Sequence, residues 1–534
     1  MLRIRSLILA VAGLGASAGS IDAQPSPTYP ASFNTPMELY RVGLGPFSRR
    51  ITTASPEAQA YFDQGAQLMF AFTPEDAARS FREAQKRDST CAMCFWAEAW
   101  AWGPYLNGQM SADDAPRAYA AIQRARALAS RTTDVERALI EAMAVRYEPA
   151  HDDARRRQLD SAYANAMARV YERFPTDPDV GTLYAESLML LLPRRGTWDM
   201  HSPIVHRIHT VLADVLARNL DHPGACHLFV HATETTPVAG NAERCAEVLG
   251  QSIPGASHIN HMPSHTYNRI GRWGDAVRAN IEAWHSDLRA EWGEGFAIYP
   301  SHNLHMLLFS ASYDGQGAIA IQAAKDYAKI SRGGQFYHAL TLLRFGRFDE
   351  VLELETAPPQ PLFRAMWEFA RGYAHLRRNA PDSARASLAW VTDAARTLPE
   401  SDNFRGHPPR QLLGILGGIL EGELLISRGD TAQGIAALER ASALEDSLRY
   451  DEPEPLPFSP KHWLGAALLE AGRAADAERV YRAELAQHPR NGWSLYGLAA
   501  SLRAQGRRED AERVQADFRQ AWARSEVLIR ASRF

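Results

Sequence analysis

The chain has 534 residues, of which 46% are hydrophobic and 22% charged, and its 58 basic and 62 acidic side chains give a formal net charge of -4. That composition belongs to a folded, water-soluble body and excludes a disordered or membrane-embedded one. With no long basic run interleaved with aromatics it also argues against nucleic acid as a partner, since the basic clusters at Ala154–Leu159 and Gln505–Asp510 sit among acids like solvated helix faces.

Residues 1–23 read as a secretory signal: Arg3 and Arg5 precede the apolar run Leu7–Leu14, small residues follow, and cleavage falls after Ala18 or after Ala23. The apolar run is far shorter than the roughly 20 residues a membrane span needs, so no span is expected. The protein is expected to be periplasmic or secreted, with residues 24–54 as an N-terminal extension. Export permits disulfides, and the four cysteines form two close pairs, Cys91 with Cys94 and Cys226 with Cys245. Two disulfides are the default expectation; for Cys91 and Cys94 the alternative is a soft metal or redox pair.

Helical signals fill most of the remainder. "GRAADAERV" at Gly472–Val480 recurs as "GRREDAERV" at Gly506–Val514, 34 residues on, which is the period of the tetratricopeptide helix-turn-helix unit. The same turn signature appears at Gly271 and Gly346, with looser versions from Thr73, Arg378 and Arg428. Strict alternation and β-branched enrichment are missing, so the expected fold class is all-α, a tetratricopeptide-repeat-like helical solenoid whose inner wall is lined by the first helix of each pair. Residues 55–330 are expected to form a first helical domain, 331–450 further repeats and 451–534 a terminal pair. Two punctuated loops interrupt the pattern: Pro193–Val205, long enough to cover something, and Tyr450–Pro460, a seam before the terminal pair.

Chemistry concentrates between His201 and His305. "CHLFVHATE" supplies His227, His231 and Glu234; "SHINHMPSH" supplies His258, His261 and His265; "YPSHNLHML" supplies His302 and His305. Positions four and seven apart return to one helix face, and two imidazoles one turn apart can hold one metal ion. The repeat frame places Ser257–Ile270 as the first helix of a pair, facing the inner wall, with the other clusters on neighbouring helices. Isolated His201, His206, His209, His285 and His462 read instead as core or surface residues, and His222 in "DHPG" as a cap or turn. Trp96 and Trp100 read as helix packing.

These residues carry a resemblance. "AQAYFDQG" from Ala58, "DSTCAMCFWAEA" from Asp88, "HPGACHLFVHATE" from His222, "SHINHMPSHTYNRIG" from Ser257 and "YPSHNLHML" from Tyr299 are similar to the motifs of a widespread group of exported bacterial tetratricopeptide-repeat proteins, over about Ser55–Leu308. Ser89, Ala97 and Val230 depart from the pattern without removing a candidate ligand, and Ser301 is an extra residue that could rotate His302 and His305. The resemblance implies the fold and the site and names no substrate.

Histidine-rich coordination suits a transition metal, zinc or copper, over magnesium or calcium. Six or seven imidazoles could hold a copper pair for oxidation by dioxygen. In the zinc alternative, His227, His231 and a third histidine hold the ion, Glu234 acts as general base, and the activity is hydrolytic. Tyr267, Asn268, Arg269 and Asn303 would orient ligands or bind an anionic substrate. The competing class is a non-catalytic scaffold that binds a peptide or partner protein in its groove and carries a structural or stored metal.

Overall fold

The Gly-Arg-x-x-Asp-Ala motif builds the same corner at each occurrence. Gly271, Gly472 and Gly506 each end a helix at φ +76°, in the left-handed region that favours glycine. The next arginine N–H bonds back to the finished helix: Arg272 to the Tyr267 carbonyl at 2.8 Å, Arg473 to Leu468 at 2.8 Å and Arg507 to Leu502 at 3.0 Å. Its Nε then meets the aspartate in the first turn of the following helix, Asp275, Asp476 and Asp510 in turn, at 2.5, 2.6 and 2.8 Å. There the acid also complements the positive end of the helix macrodipole.

The computed structural model describes residues 27–194 and 196–534, so the signal segment expected over residues 1–23 lies outside the described residues. Antiparallel hairpins succeed one another, from Pro56–Phe70 with Pro74–Arg87 to Gly492–Ala504 with Arg508–Ala521. Among the described residues there is no strand, and the fold is an all-α, tetratricopeptide-repeat-like solenoid. Small residues let the helices approach: a Cβ on Gly465 would lie 2.4 Å from the Tyr481 ring. No described helix is long and apolar enough to cross a membrane.

Burial divides the apolar interior into one core from Met37 to Ile298 and another from Val277 to Ala511, with helix Trp273–Ala290 between them. The second half curls back on itself. Trp493 Nε1 donates to the Ser312 carbonyl and Trp273 Nε1 to that of Pro489, both at 2.9 Å. The tail after Ala521 then follows the inside of the curl: the Tyr481 and Ser532 hydroxyls meet at 2.8 Å, Arg533 pairs with Glu423 at 3.0 Å, and Tyr373 donates to the Phe534 carbonyl at 2.6 Å. The inner wall expected to receive a peptide is thus covered in this half by the chain itself.

A buried ion pair secures the fold-back. His488 Nδ1 lies 2.9 Å from Glu484 and Nε2 lies 3.3 Å from Glu454. Burial opposes the imidazolium, but Glu484 and Glu454 raise its pKa from 6.5 to about 10. Burial equally opposes the Glu484 carboxylate, which His462 and His488 hold well below the usual range. A raised folded-state pKa means that the His488 contribution is complete below its ordinary value and is lost as pH climbs through the folded one, whereas that of Glu484 is lost on acidification. Calorimetry should therefore show Tm falling between about pH 7 and about pH 10 in the wild type, and a much flatter profile in a less stable His488→Gln variant.

Candidate metal centre

Helix Pro223–Glu234 carries the first cluster and is fixed at both ends of its first turn. His222 is its N-cap, with Nδ1 accepting from the Ala225 N–H at 3.1 Å and Nε2 lying 3.2 Å from Asp179. A disulfide from Cys226 to Cys245 ties it to helix Glu243–Leu249; Cys91 and Cys94 are also joined. The stretch expected to be one helix over Ser257–Ile270 is two, Ser257–His261 and Pro263–Ile270. Pro263 has no N–H to continue the first ladder, so the hydrogen bonding is interrupted there although the Met262 backbone stays helical at φ -52°, ψ -37°.

The histidines of this stretch divide between two groups. His227, His231 and His258 form one set, and His261, His265 and His302 another, each with ligand atoms within 4.8 Å of one another. His258 therefore leaves its sequence neighbours to join the preceding helix, and His302 comes from helix Pro300–Asp314. The sets adjoin: the His258 and His261 ring centroids are 5.5 Å apart and those of His231 and His265 5.7 Å, comparable to the 4.9 Å between His227 and His231.

Hydrogen bonds fix which nitrogens face inward. His227 Nδ1 donates to the Phe70 carbonyl at 2.6 Å, leaving Nε2 as a buried lone pair with no partner. His261 Nδ1 donates to Asn280 Oδ1 at 3.0 Å, and the Asn280 amide is oriented by its own bond to the Ala276 carbonyl. Glu234 accepts from His231 Nδ1 at 2.7 Å through one oxygen and from His265 Nδ1 through the other. One carboxylate thereby sets an Nε2 lone pair in each set, the carboxylate–histidine arrangement typical behind metal ligands. His231 Nε2 has no partner, neither does either ring nitrogen of His258, and the Nε2 atoms of His261 and His265 face each other at 2.7 Å. Two lone pairs so placed, with other buried nitrogens unpartnered, are costly for a protein alone and are the donor set a cation requires.

The electrostatics agree. Burial, followed by neighbouring imidazoles, holds His227, His258, His261 and His302 well below the ordinary histidine value, and burial takes His231 down to about 4. These are neutral imidazoles, the form that binds metal. Burial would raise Glu234, yet His265 and His231 keep it well below the carboxylate range.

Several expected residues take other places. Glu234, expected as a general base, has both oxygens committed to imidazole N–H groups, with the Tyr450 hydroxyl a further donor at 3.3 Å. His305 is outside both sets although it shares a helix face with His302, because its Nε2 lies 2.5 Å from the Tyr337 hydroxyl, which turns the imidazole toward helix Gln335–Arg344. Tyr267 packs with Ala246 and Ala276 under the Arg272 guanidinium, away from the histidines. Asn303 donates to Asp287 at 2.8 Å and to the Ile298 carbonyl at 3.1 Å, tying down the turn that precedes its helix. Asn268 accepts from Ser310 at 2.9 Å; with Arg269 it lines a cavity of about 20 Å³ beside His265, room for about one water.

Two aromatic neighbours were not among the expected site residues. Phe72 and Tyr299 are non-glycine residues at φ +64° and +57°. Phe72 lies 4.2 Å from the His227 ring and Tyr299 5.1 Å from that of His258. Backbone strain of this kind persists where the surroundings impose it. Both punctuated loops meet over the site: Arg194 donates to Asn107 and to Glu452, each at 2.8 Å, and Glu452 lies within 4.8 Å of Glu234 and His265. Tyr450–Pro460 is therefore a cover as well as a seam.

The fold and the site together define an all-α solenoid of tetratricopeptide-repeat-like hairpins enclosing a buried polyhistidine cluster. No protein-family model matches the chain, and no curated protein does. Among solved structures it is similar to a human IFIT1 dimer with m7Gppp-AAAA (11% identity, 89% of this chain and 92% of that one, TM-score 0.30). It is likewise similar to a human IFIT1 dimer with PPP-AAAA (11%, 88% and 91%, 0.30) and to a monomeric IFIT1 mutant with Gppp-AAAA (13%, 88% and 91%, 0.29). The likeness concerns fold. Those helical proteins are solved with m7Gppp-AAAA and PPP-AAAA, and the exclusion of nucleic acid made from net charge is withdrawn. A charge summed over a whole solenoid does not describe one of its walls.

Proposed function

We propose that this is an exported repeat protein in which the two three-histidine sets hold a pair of copper ions that oxidise an organic substrate with dioxygen. The observation that carries the reading is the single carboxylate, Glu234, turning one Nε2 lone pair into each set. Imidazole ligands bring no charge to the ions, which suits copper, at the top of the affinity order for nitrogen ligands. Zinc hydrolysis is disfavoured because Glu234 is not free to take a proton. Export is supported by the N-terminal sequence and by two buried disulfides.

When bound, the copper pair supplies the electrons that reduce dioxygen. The chain's own part is to present neutral nitrogens, to fix their tautomers through Glu234, Asn280 and the Phe70 carbonyl, and to exclude water. Loading the metal-free protein with Cu(I) without air and then admitting oxygen tests the reading. Uptake of one dioxygen per copper pair, with new visible absorption and none in the zinc-loaded protein, is expected. A chain that takes zinc but not copper, or that holds copper without consuming oxygen, leaves the scaffold reading with a structural or stored metal.

A further inference from the structure

A second group of unpartnered buried atoms lies far along the chain, where the second half closes. Arg344, at the end of helix Gln335–Arg344, is 2% exposed, and its Nε, Nη1 and Nη2 atoms all have no hydrogen-bond partner. Among the described residues it takes part in no ion pair, and its guanidinium carbon lies 3.7 Å from the face of Trp493. One turn earlier Thr341 is fully buried with its hydroxyl unpartnered. His462 is also fully buried, neither ring nitrogen has a hydrogen-bond partner, and the Arg344 charge acts on it. Tyr313 places its ring centroid 6.1 Å from that of His462.

The nearby acid does not answer this charge. Glu484 is spent on His488 at 2.9 Å, Asn491 at 2.6 Å and Ser494 at 2.7 Å, with His462 Nε2 a looser 3.4 Å away. His488 is itself cationic between Glu484 and Glu454, and Lys461 is taken by Glu445 and Asp446. Glu484 is thus largely neutralised by His488 and Glu454 lies on the far side of that histidine, so the guanidinium feels Glu484 only at a distance, and no carboxylate among the described residues pairs with it directly. An arginine cannot shed its proton to escape burial as a lysine can, and a bare buried cation costs several kcal/mol, about the scale seen when one partner of a buried pair is removed.

We propose that Arg344, with the hydroxyl of Thr341 and a ring N–H of His462, binds a small inorganic monoanion of the chloride class, which neutralises the guanidinium and pins the closure of the C-terminal half. The helices that meet there, Pro300–Asp314, Gln335–Arg344, Lys461–Glu470 and Gly492–Ala504, are those whose packing turns an open solenoid into a closed one.

Thermal unfolding of the full chain, at fixed pH and with ionic strength balanced by gluconate, tests this. Tm should rise by about 1 °C for each tenfold increase in chloride above the dissociation constant. Arg344→Met should abolish that dependence, and Arg344→Lys, which keeps one charged donor, should retain a weaker form. Diffraction from crystals grown in bromide should place an anomalous peak beside Arg344. Equal Tm in chloride and gluconate, or a bromide map that shows only water at Arg344, overturns the proposal. If Arg344→Met does not fold, the bromide map of the wild type decides.

Discussion

Replacing His227 and His258 together with alanine should halve the metal content of the chain, from two ions to one. Both lie in the first histidine set and contribute nothing to the second. The second keeps His261, held by Asn280, His265, held by Glu234, and His302. His231 alone would face the first position, and one imidazole does not retain an ion that three were arranged to hold. The surviving ion should keep its affinity within about tenfold, because its ligands and the carboxylate behind them are untouched. Elemental analysis after gel filtration reads the result; loss of both ions, or of neither, would mean that the histidines do not form two separate sets.

Glu234→Gln should weaken both ions, by about 10–100-fold each, and lower Tm even in the metal-free chain. The carboxylate accepts two imidazole N–H bonds at once, one from each set. A glutamine offers one acceptor and, on its other side, an NH2 donor, so one imidazole must turn its tautomer and lose the Nε2 lone pair. Charge-assisted hydrogen bonds of this kind contribute about 1.5–3 kcal/mol each, and burial leaves no water to replace them. Competition titration against a chromophoric chelator measures affinity, and calorimetry measures the metal-free chain. Unchanged affinity at both positions would remove Glu234 from the site.

The repeat and the corner were legible because they are local. A 34-residue period and a Gly-Arg-x-x-Asp-Ala signature depend on neighbours within one hairpin, and Gly472 and Gly506 show the same φ. The histidine content was legible for the same reason, through spacing on a helix. Its division was not. Within Ser257–Ile270, His258 goes to one set and His261 and His265 to the other, according to which neighbouring helix each meets, and sequence spacing carries no record of that. His305 shows the opposite failure, since it shares a helix with His302 but bonds to Tyr337. Glu234 stands one turn from His231 in the sequence, whereas its bond to His265 spans 31 residues and has no local signature. The cover formed by Arg194, Tyr450 and Glu452 joins residues about half the chain apart, and Phe72 and Tyr299 are ordinary aromatics until their backbone angles are seen.

Two adjacent sets of three imidazoles, each holding one metal ion, should be visible in the metal content of the protein itself. Metal analysis of the wild-type chain purified without added metal or chelator, combined with X-ray absorption at the edge of the metal found, tests it directly. The account predicts two transition-metal ions per chain, each with nitrogen neighbours at about 2.0 Å and no sulfur in the first shell. No stoichiometric metal, or a single ion bound through oxygen or sulfur, would contradict it.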